Sequence, residues 1–221
     1  MTAKKGTGLL MVWADVPRDR EDDFNRWYNE EHLAERLSVP GILSAARYEA
    51  VKSGPKHLAC YELESLAVLD SAEYRRLKEQ PTAWTRRSSP DVIGTTFIRN
   101  VYTMIHPGEL TPEIAGSGMA PALQIGRMDV PPEIDDEFNR WYNTIYVPNY
   151  ETVPGVIRGR RYRAVAGAPT YLTLYEFEHP AVSESAAWLA QRDISPVTHR
   201  VRPHMRHAAG SPGIWAKTFE L

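Results

Sequence analysis

The chain has 221 residues, 43% of them apolar, and its 26 basic residues nearly balance 28 acidic ones. That apolar fraction suffices for a packed core, while the mixed charge creates no basic field that would attract nucleic acid. The apolar run at 9–14 is too short for a signal sequence or a membrane span, so we expect a cytoplasmic protein. The single cysteine, Cys60, excludes an internal disulfide and is typical of a buried strand thiol.

The first half of the sequence predicts the order β-α-β-β-α-β. Its first helix begins in the acidic stretch 19–23, because negative charge favours a helix N-terminus, and ends at Val39-Pro40-Gly41. A turn at Ser53-Gly54-Pro55 separates two strands. The remaining predicted elements are strands at about 9–14, 42–51, 57–64 and 95–105 and a second helix at about 66–79.

A hairpin centred on Gly54-Pro55 would place Arg47 opposite Glu62 on the neighbouring strand. The same reasoning places Arg161 opposite Glu176 in the second half. We interpret both as structural cross-strand ion pairs, with a substrate clamp as the alternative role for each arginine.

The second half repeats the first at an offset of 114 residues. The segment DFNRWYN at 23–29 returns as EFNRWYN at 137–143, which indicates a tandem duplication. The Gly- and Pro-containing stretch between the copies has neither helical nor strand periodicity and is interpreted as a linker. The predicted division is a first repeat at 1–106, a linker at 107–121 and a second repeat at 122–221.

A β-α-β-β-α-β unit places both helices on one face of a four-stranded sheet and leaves the other face to be covered. This pattern, with F-N-R-W-Y-N-x-x-H before a V-P-G turn, resembles the dimeric α/β-barrel superfamily and specifically its EthD-like branch, fused in tandem. The resemblance implies an α+β fold in which two ferredoxin-like units form one intrachain barrel, with their sheets packed face to face. It also implies a ligand cavity between sheet and helices or inside the barrel.

The two copies differ on the inward face of the first helix. Glu31-His32 in the first copy becomes Ile145-Tyr146 in the second. We predict that His32 is the general base, since imidazole titrates near neutral pH, with Glu31 or a backbone carbonyl fixing its tautomer. Tyr28 or Tyr146 would position or protonate an oxygen atom. The alternatives are a helix-end histidine that caps carbonyl groups and tyrosines that only pack.

The predicted substrate-binding residues are the neighbours of these positions in both copies and the two strand arginines: Trp27, Asn29, Glu31, Trp141, Tyr142, Asn143, Arg47 and Arg161. A basic segment near the C-terminus contains His199, His204 and His207. Their spacing matches no usual metal-ligand pattern, so no metal is predicted. The segment is interpreted as a basic lid for a carboxylate or phenolate, or as a solvated loop.

The sequence contains no phosphate-binding loop, dinucleotide fingerprint or nucleophile elbow, and no cofactor is therefore predicted. We predict a cofactor-independent lyase or isomerase that applies acid-base chemistry to a small aromatic or enolisable substrate. Aldehyde-releasing cleavage of lignin-derived aromatic dimers is one candidate reaction. The alternatives are a cofactor-free oxygenase of phenols and a non-catalytic or stress-related barrel that binds an aromatic compound. The expected partner is a small molecule, with no nucleic acid or membrane, and a homodimer of the fused chain is a further candidate.

Overall fold

The computed structural model describes residues 2–193 and 195–221. The strands are β1 (Gly8–Asp15), β2 (Ile42–Lys52), β3 (His57–Leu63), β4 (Thr96–His106), β5 (Ala122–Asp129), β6 (Val156–Ala166), β7 (Tyr171–Phe177), β8 (Arg206–His207) and β9 (Gly213–Glu220). The helices are α1 (Glu21–Trp27), α2 (Leu33–Leu37), α3 (Ala72–Glu79), α4 (Ala83–Ser88), α5 (Pro90–Ile93), α6 (Pro112–Gly116), α7 (Asp135–Trp141), α8 (Val147–Glu151), α9 (Ala186–Ala190) and α10 (Pro196–Val201).

Eight antiparallel strands close a barrel in the order β1-β3-β2-β9-β5-β7-β6-β4, and β4 returns to β1. The predicted α+β barrel is therefore confirmed. The first half contributes β4-β1-β3-β2, and the second half contributes β9-β5-β7-β6 in the equivalent order. The two sheets do not simply pack face to face, because β2 pairs with β9 and β4 with β6. These pairings satisfy the backbone N–H and C=O groups of the edge strands, which either half alone would expose.

Most element positions follow the predictions from the sequence. The first helix of each copy ends just before the V-P-G turn, where Gly41 and Gly155 adopt φ values of +91° and +87° that favour glycine. The segment interpreted as a linker is not without structure, because it contains α6 and its Ala115 carbonyl accepts from the Lys4 and Lys5 backbone N–H groups.

The predicted hairpin register is wrong by three residues. Arg47 lies opposite Ala59 rather than Glu62, and Arg161 lies opposite Thr173 rather than Glu176. Because side chains alternate between the two faces of a strand, an odd shift moves each arginine to the face opposite its predicted partner. The predicted Arg47–Glu62 and Arg161–Glu176 ion pairs therefore do not form.

The barrel interior is apolar for most of its length and contains Trp13, Tyr48, Tyr102, Tyr162 and Trp215. One part of the buried core instead holds a network of charged side chains. Arg160 donates through both Nη atoms to the Glu62 carboxylate, at 3.2 and 2.5 Å, and through Nε and Nη2 to Glu176 Oε1, at 3.1 and 2.7 Å. All three side chains are almost fully buried.

Two further cations complete this network. Arg158 Nε lies 3.2 Å from Glu176 Oε2, and Lys5 Nζ lies 3.4 Å from the same oxygen. Burial lowers the pKa of Lys5, and Glu176 opposes that effect. Lys5 also donates to Ser117 and to the Gly118 carbonyl, so the network ties the N-terminal segment, both halves and the connecting segment together.

The first half should not be a stable monomer on its own. Residues 1–106 would expose the edges of β2 and β4 and the apolar inner face of their sheet. We expect this fragment to self-associate or precipitate, as measured by size-exclusion chromatography with light scattering. A monodisperse monomer would contradict the closure argument.

Loss of Arg160 should strongly destabilise the chain. Arg160→Met leaves Glu62 and Glu176 buried without their shared cation, which we expect to lower the free energy of unfolding by about 3–5 kcal/mol. Urea denaturation measures the change. Arg163→Met, at an exposed position of the same strand, is the matched control and should change stability by less than about 1 kcal/mol. Equal losses of unfolding free energy in the two variants would contradict a stabilising role for the charged network.

Candidate functional site

Each half encloses a cavity between its helices and the outer face of its sheet. The first cavity has a volume of about 470 Å³ and the second about 390 Å³. Equivalent positions line both cavities but carry different side chains: His32 corresponds to Tyr146, Arg36 to Tyr150, and Leu10 to Gln124. The two halves therefore hold chemically different sites.

A π-helical turn interrupts the first helix of each half, at Tyr28–His32 and Tyr142–Tyr146. Such turns are frequent at functional sites, because the extra residue redirects the side chains around it. Here the turn packs the imidazole of His32 against Trp27 and Tyr28, with ring centroids 4.3 and 5.0 Å apart. His32 is thus held in the helix wall of the first cavity, and it does not cap a helix end.

His32 is a neutral imidazole in this setting. Its side chain is only 9% exposed, and burial together with the cations of Arg36 and Arg47 holds its pKa well below the usual value of 6.5. Arg36 Nε donates to His32 Nε2 at 3.4 Å, which assigns the ring proton to Nδ1. The prediction that Glu31 or a backbone carbonyl fixes the tautomer of His32 is therefore wrong, since Arg36 fixes it.

Glu31 faces a different set of partners. Its Oε1 accepts from the hydroxyl of Thr82 at 2.6 Å and from that of Thr85 at 3.4 Å. Thr85 in turn accepts from Trp27 Nε1 at 3.1 Å. Glu31 therefore anchors α4 and positions Trp27, rather than contacting His32 or lining the cavity.

Several polar atoms around the first cavity have no hydrogen-bond partner among residues 2–193 and 195–221. They are His32 Nδ1, Arg36 Nη1 and the Tyr61 hydroxyl, and all three residues line the cavity. A buried polar atom without a partner is costly, so Arg36 Nη1 and the Tyr61 hydroxyl mark places where a ligand can supply the missing contact. Arg99 and Lys78 add positive charge to the lining, and Asp91 adds one carboxylate.

The asparagines of the repeated motif and an arginine of the second strand connect the first helix to the sheet. Arg47 donates to Asn29 Oδ1 at 2.9 Å and to Asn25 Oδ1 at 2.6 Å, and its guanidinium lies 4.7 Å from the Tyr28 ring centroid. Arg161 makes the same contacts in the second half, with Asn143 and Asn139. Neither Arg47 nor Arg161 lines a cavity, so their predicted substrate contacts are not observed.

The structure separates the three residues predicted to be catalytic. His32 and Tyr28 line the first cavity together with Trp27, whereas Tyr146 and Tyr142 line the second. Trp141 donates to the Thr198 hydroxyl at 3.2 Å and lies against Tyr146 without lining that cavity. His32 and Tyr146 therefore do not share a cavity, and the catalytic roles of His32, Tyr28 and Tyr146 stay predictions.

Sequence reasoning missed most residues of the first cavity, among them Arg36, Tyr61 and Tyr74. Arg36 could have been found, because it lies four residues after His32 and hence on the same helix face. Tyr61 and Tyr74 carry no comparable signal, since their positions in the cavity depend on the strand register and on the path of α3.

The basic segment near the C-terminus is divided among several roles. Arg200 pairs with Glu137 on the exposed surface, whereas Arg202 and His207 line the second cavity. His199 lies in an adjoining groove that Arg202 also lines. Among residues 2–193 and 195–221, no group of three or more His, Cys, Asp or Glu could hold a metal ion.

No protein-family model matches the chain, and no curated protein matches it either. Solved structures do match over almost the whole length. An anthrone oxidase-like protein has a TM-score of 0.64 at 15% identity, covering 99% of this chain and 94% of its own. The chain has the dimeric α/β-barrel fold.

Two further structures agree with that assignment. A candidate monooxygenase from Fusobacterium nucleatum subsp. nucleatum has a TM-score of 0.61 at 10% identity, covering 97% of this chain and 94% of its own. A heme-binding protein from Thermus thermophilus has a TM-score of 0.60 at 12% identity, covering 97% and 92%. At these identities the likeness establishes the fold and leaves the reaction open.

The first cavity does not fit heme. Protein ligands of heme iron are imidazole, thiolate, thioether or phenolate groups. Neither ring nitrogen of His32 suits a cationic iron, because Nδ1 is sealed from solvent and Nε2 lies beside the Arg36 cation, which would repel the metal. Burial raises the pKa of Tyr28 and Tyr61, which favours the protonated hydroxyl over a phenolate ligand.

Within the described parts of the chain, no helix has the length and apolar character needed to cross a membrane.

The buried neutral His32 should make the protein sensitive to acid. Its pKa is lower in the folded state than in the unfolded state, so below pH 6.5 the unfolded chain binds a proton that the folded chain excludes. We expect His32→Gln to lose less unfolding free energy than the wild type as pH falls below 6.5, by about 1.4 kcal/mol for each unit of pKa depression. Denaturation from pH 8 to 5 measures the difference, and a constant offset over this range would contradict a depressed pKa.

Proposed function

We propose that the first cavity is the active site of a cofactor-independent lyase or isomerase that acts on a small aromatic or enolisable substrate. The observation that supports it most is the pairing of a neutral imidazole, His32, with an arginine that has an unpartnered Nη atom, Arg36. A base beside a cation suits a reaction in which a neutral substrate becomes an oxyanion.

The proposed chemistry begins when a substrate oxygen takes the place of His32 as the partner of Arg36. His32 Nε2 is then free to accept a proton from a carbon or hydroxyl of the substrate. The electron pair of the broken bond moves onto the substrate oxygen, where Arg36 and the Tyr61 hydroxyl stabilise the negative charge. When the proton comes from carbon, its return to another atom gives isomerisation. When it comes from a hydroxyl, the alkoxide collapses to an aldehyde, the adjacent C–C bond breaks with its electron pair moving to the substrate oxygen beside Arg36, and His32 returns the proton to the remaining fragment.

Aromatic walls support the substrate class. Trp27, Tyr28, Tyr61, Tyr74 and Phe97 line the cavity, and Arg99 donates to the Tyr74 hydroxyl at 3.1 Å. The volume of about 470 Å³ falls within the range of ordinary small-molecule sites and accommodates a substrate of one or two rings. Cleavage of lignin-derived aromatic dimers is a candidate reaction that these features allow.

A cofactor-free oxygenase is the second candidate. Its support comes from the names of the structural relatives, an anthrone oxidase-like protein and a candidate monooxygenase. The same base and cation would generate a phenolate or carbanion, which then reacts with oxygen. Oxygen consumption that is stoichiometric with substrate loss would establish the oxygenase, whereas product formation at an unchanged rate under nitrogen would exclude it.

We also propose that the barrel arose by tandem duplication of an EthD-like unit. Its support is the combination of the repeated sequence motif, the equivalent strand order of the two halves and a π-helical turn at the same position in each. The proposed division remains 1–106, 107–121 and 122–221.

The activity test begins with proton transfer, because that step precedes either product. Enolisable aromatic ketones in deuterium oxide should exchange their acidic C–H in the presence of the enzyme, as observed by proton NMR. His32→Ala should slow the exchange about 10²–10⁴-fold while the thermal midpoint shows that the chain remains folded. Binding without exchange or oxygen consumption would instead support a non-catalytic barrel.

The pH profile provides a second test. Arg36 helps to depress the pKa of His32, so Arg36→Met should move the acid limb of kcat/KM upward toward pH 6.5 as well as lower the rate about 10²–10³-fold. Arg26→Met is the matched control: Arg26 is an exposed residue of α1, outside the cavity, and its loss should change neither the acid limb nor the rate. An unmoved acid limb in Arg36→Met would argue against this assignment of the base.

A further inference from the structure

The second cavity has its own chemistry and does not merely repeat the first. A continuous series of aromatic rings forms its wall: Tyr142 lies 4.8 Å from Tyr146, Tyr146 lies 4.7 Å from Tyr150, and Tyr150 lies 4.2 Å from Trp188. Rings at these centroid separations offer faces and edges that favour another aromatic ring. The first cavity has an imidazole and a guanidinium at the positions of Tyr146 and Tyr150.

Three side chains from β5 and β7 carry polar atoms that lack partners among residues 2–193 and 195–221. They are Gln124 Oε1, Thr173 Oγ1 and the Tyr175 hydroxyl, and all three residues line the cavity. Thr173 is 1% exposed and Tyr175 is 2% exposed, so neither is hydrated from outside. A ligand hydroxyl, which both donates and accepts hydrogen bonds, would supply partners for these three polar atoms.

Two arginines lie where this cavity meets the surface. Arg192 and Arg202 line both the cavity and the shallow groove beside it, which places them between the interior and solvent. Neither forms an ion pair within the described parts of the chain, although Asp193 lies in the same groove. Guanidinium groups bind carboxylates in a planar, two-point manner, so the pair is suited to one anionic end of a ligand.

We propose that the second cavity is a binding site for a hydroxylated aromatic carboxylic acid. The carboxylate contacts Arg192 and Arg202, the ring lies against Tyr146, Tyr150 and Trp188, and the hydroxyl reaches the polar group on the sheet. The volume of about 390 Å³ accommodates an acid of one ring with a short side chain. This site is separate from the proposed active site and does not depend on any reaction there.

Isothermal titration with three related probes tests the ligand class. We expect 4-hydroxycinnamate to bind at this site more tightly than cinnamate, which lacks the hydroxyl, and than 4-hydroxycinnamyl alcohol, which lacks the carboxylate. The double variant Arg192→Met/Arg202→Met should weaken binding of 4-hydroxycinnamate at least tenfold. Arg200→Met, on the same segment but paired with Glu137 outside the cavity, is the matched control and should bind like the wild type.

A second variant tests the polar end of the site. Tyr175→Phe removes one hydroxyl and should weaken 4-hydroxycinnamate severalfold while leaving cinnamate unchanged. Titrations are performed on His32→Gln/Arg36→Met, so that the first cavity does not contribute to the signal and failure of the proposed function leaves this result unaffected. Equal affinity for all three probes, retention of affinity in the double variant, or absence of binding would each overturn the proposal.

Discussion

The barrel is organised around one arginine shared by two equivalent glutamates. Glu62 and Glu176 occupy the same position in the two halves, and Arg160 binds both. The position equivalent to Arg160 in the first half is Ala46, which is fully buried. A second arginine at that position would place another large cation beside Arg160. Glu62 and Glu176 would then face four cations, including Arg158 and Lys5, with only two carboxylates. The buried centre therefore requires the two halves to differ, because removing ions from water is repaid only when the charges are well paired.

The parts that the halves share have a mechanical role. In both halves an arginine on the second strand is held by two asparagines of the first helix and lies against a tyrosine ring. Burial lowers the pKa of Arg161 to about 10, so the group remains charged at neutral pH while it is held by amide oxygens. These contacts explain why the motif F-N-R-W-Y-N recurs: it fixes the helix at one height on the sheet. The cavity residues beside these arginine–asparagine contacts can then differ between the halves without moving the helix.

Prediction from sequence succeeded where the signal is local. The strands, the V-P-G helix ends and the four-stranded order follow from periodicity and from glycine, and the structure places them within a few residues of the predicted bounds. The hairpin register failed because the turn is centred on Ser53 and not on Gly54-Pro55: Glu49 pairs with His57, and the Ala50 N–H donates to the Lys56 carbonyl. Because of that error, Glu62 and Glu176 were assigned to Arg47 and Arg161, whereas Arg160 binds both carboxylates. A helix-face pattern identified His32, but its partners Arg36 and Tyr61 come from the next turn and from a strand whose register was misassigned.

The electrostatics of the two cavities explain how one chain can hold separate chemistries. Neither cavity holds more than one carboxylate in its lining, while each is lined by at least two arginines. Both cavities therefore favour anions, and they differ in the side chains that lie next to the arginines. In the first, the arginine touches an imidazole that can accept a proton. In the second, burial raises the pKa of Tyr146 and Tyr175, so their hydroxyls donate hydrogen bonds and do not act as bases near neutral pH. A proton acceptor beside a cation allows a bound molecule to become charged, whereas protonated phenols beside a cation hold a molecule that is charged already.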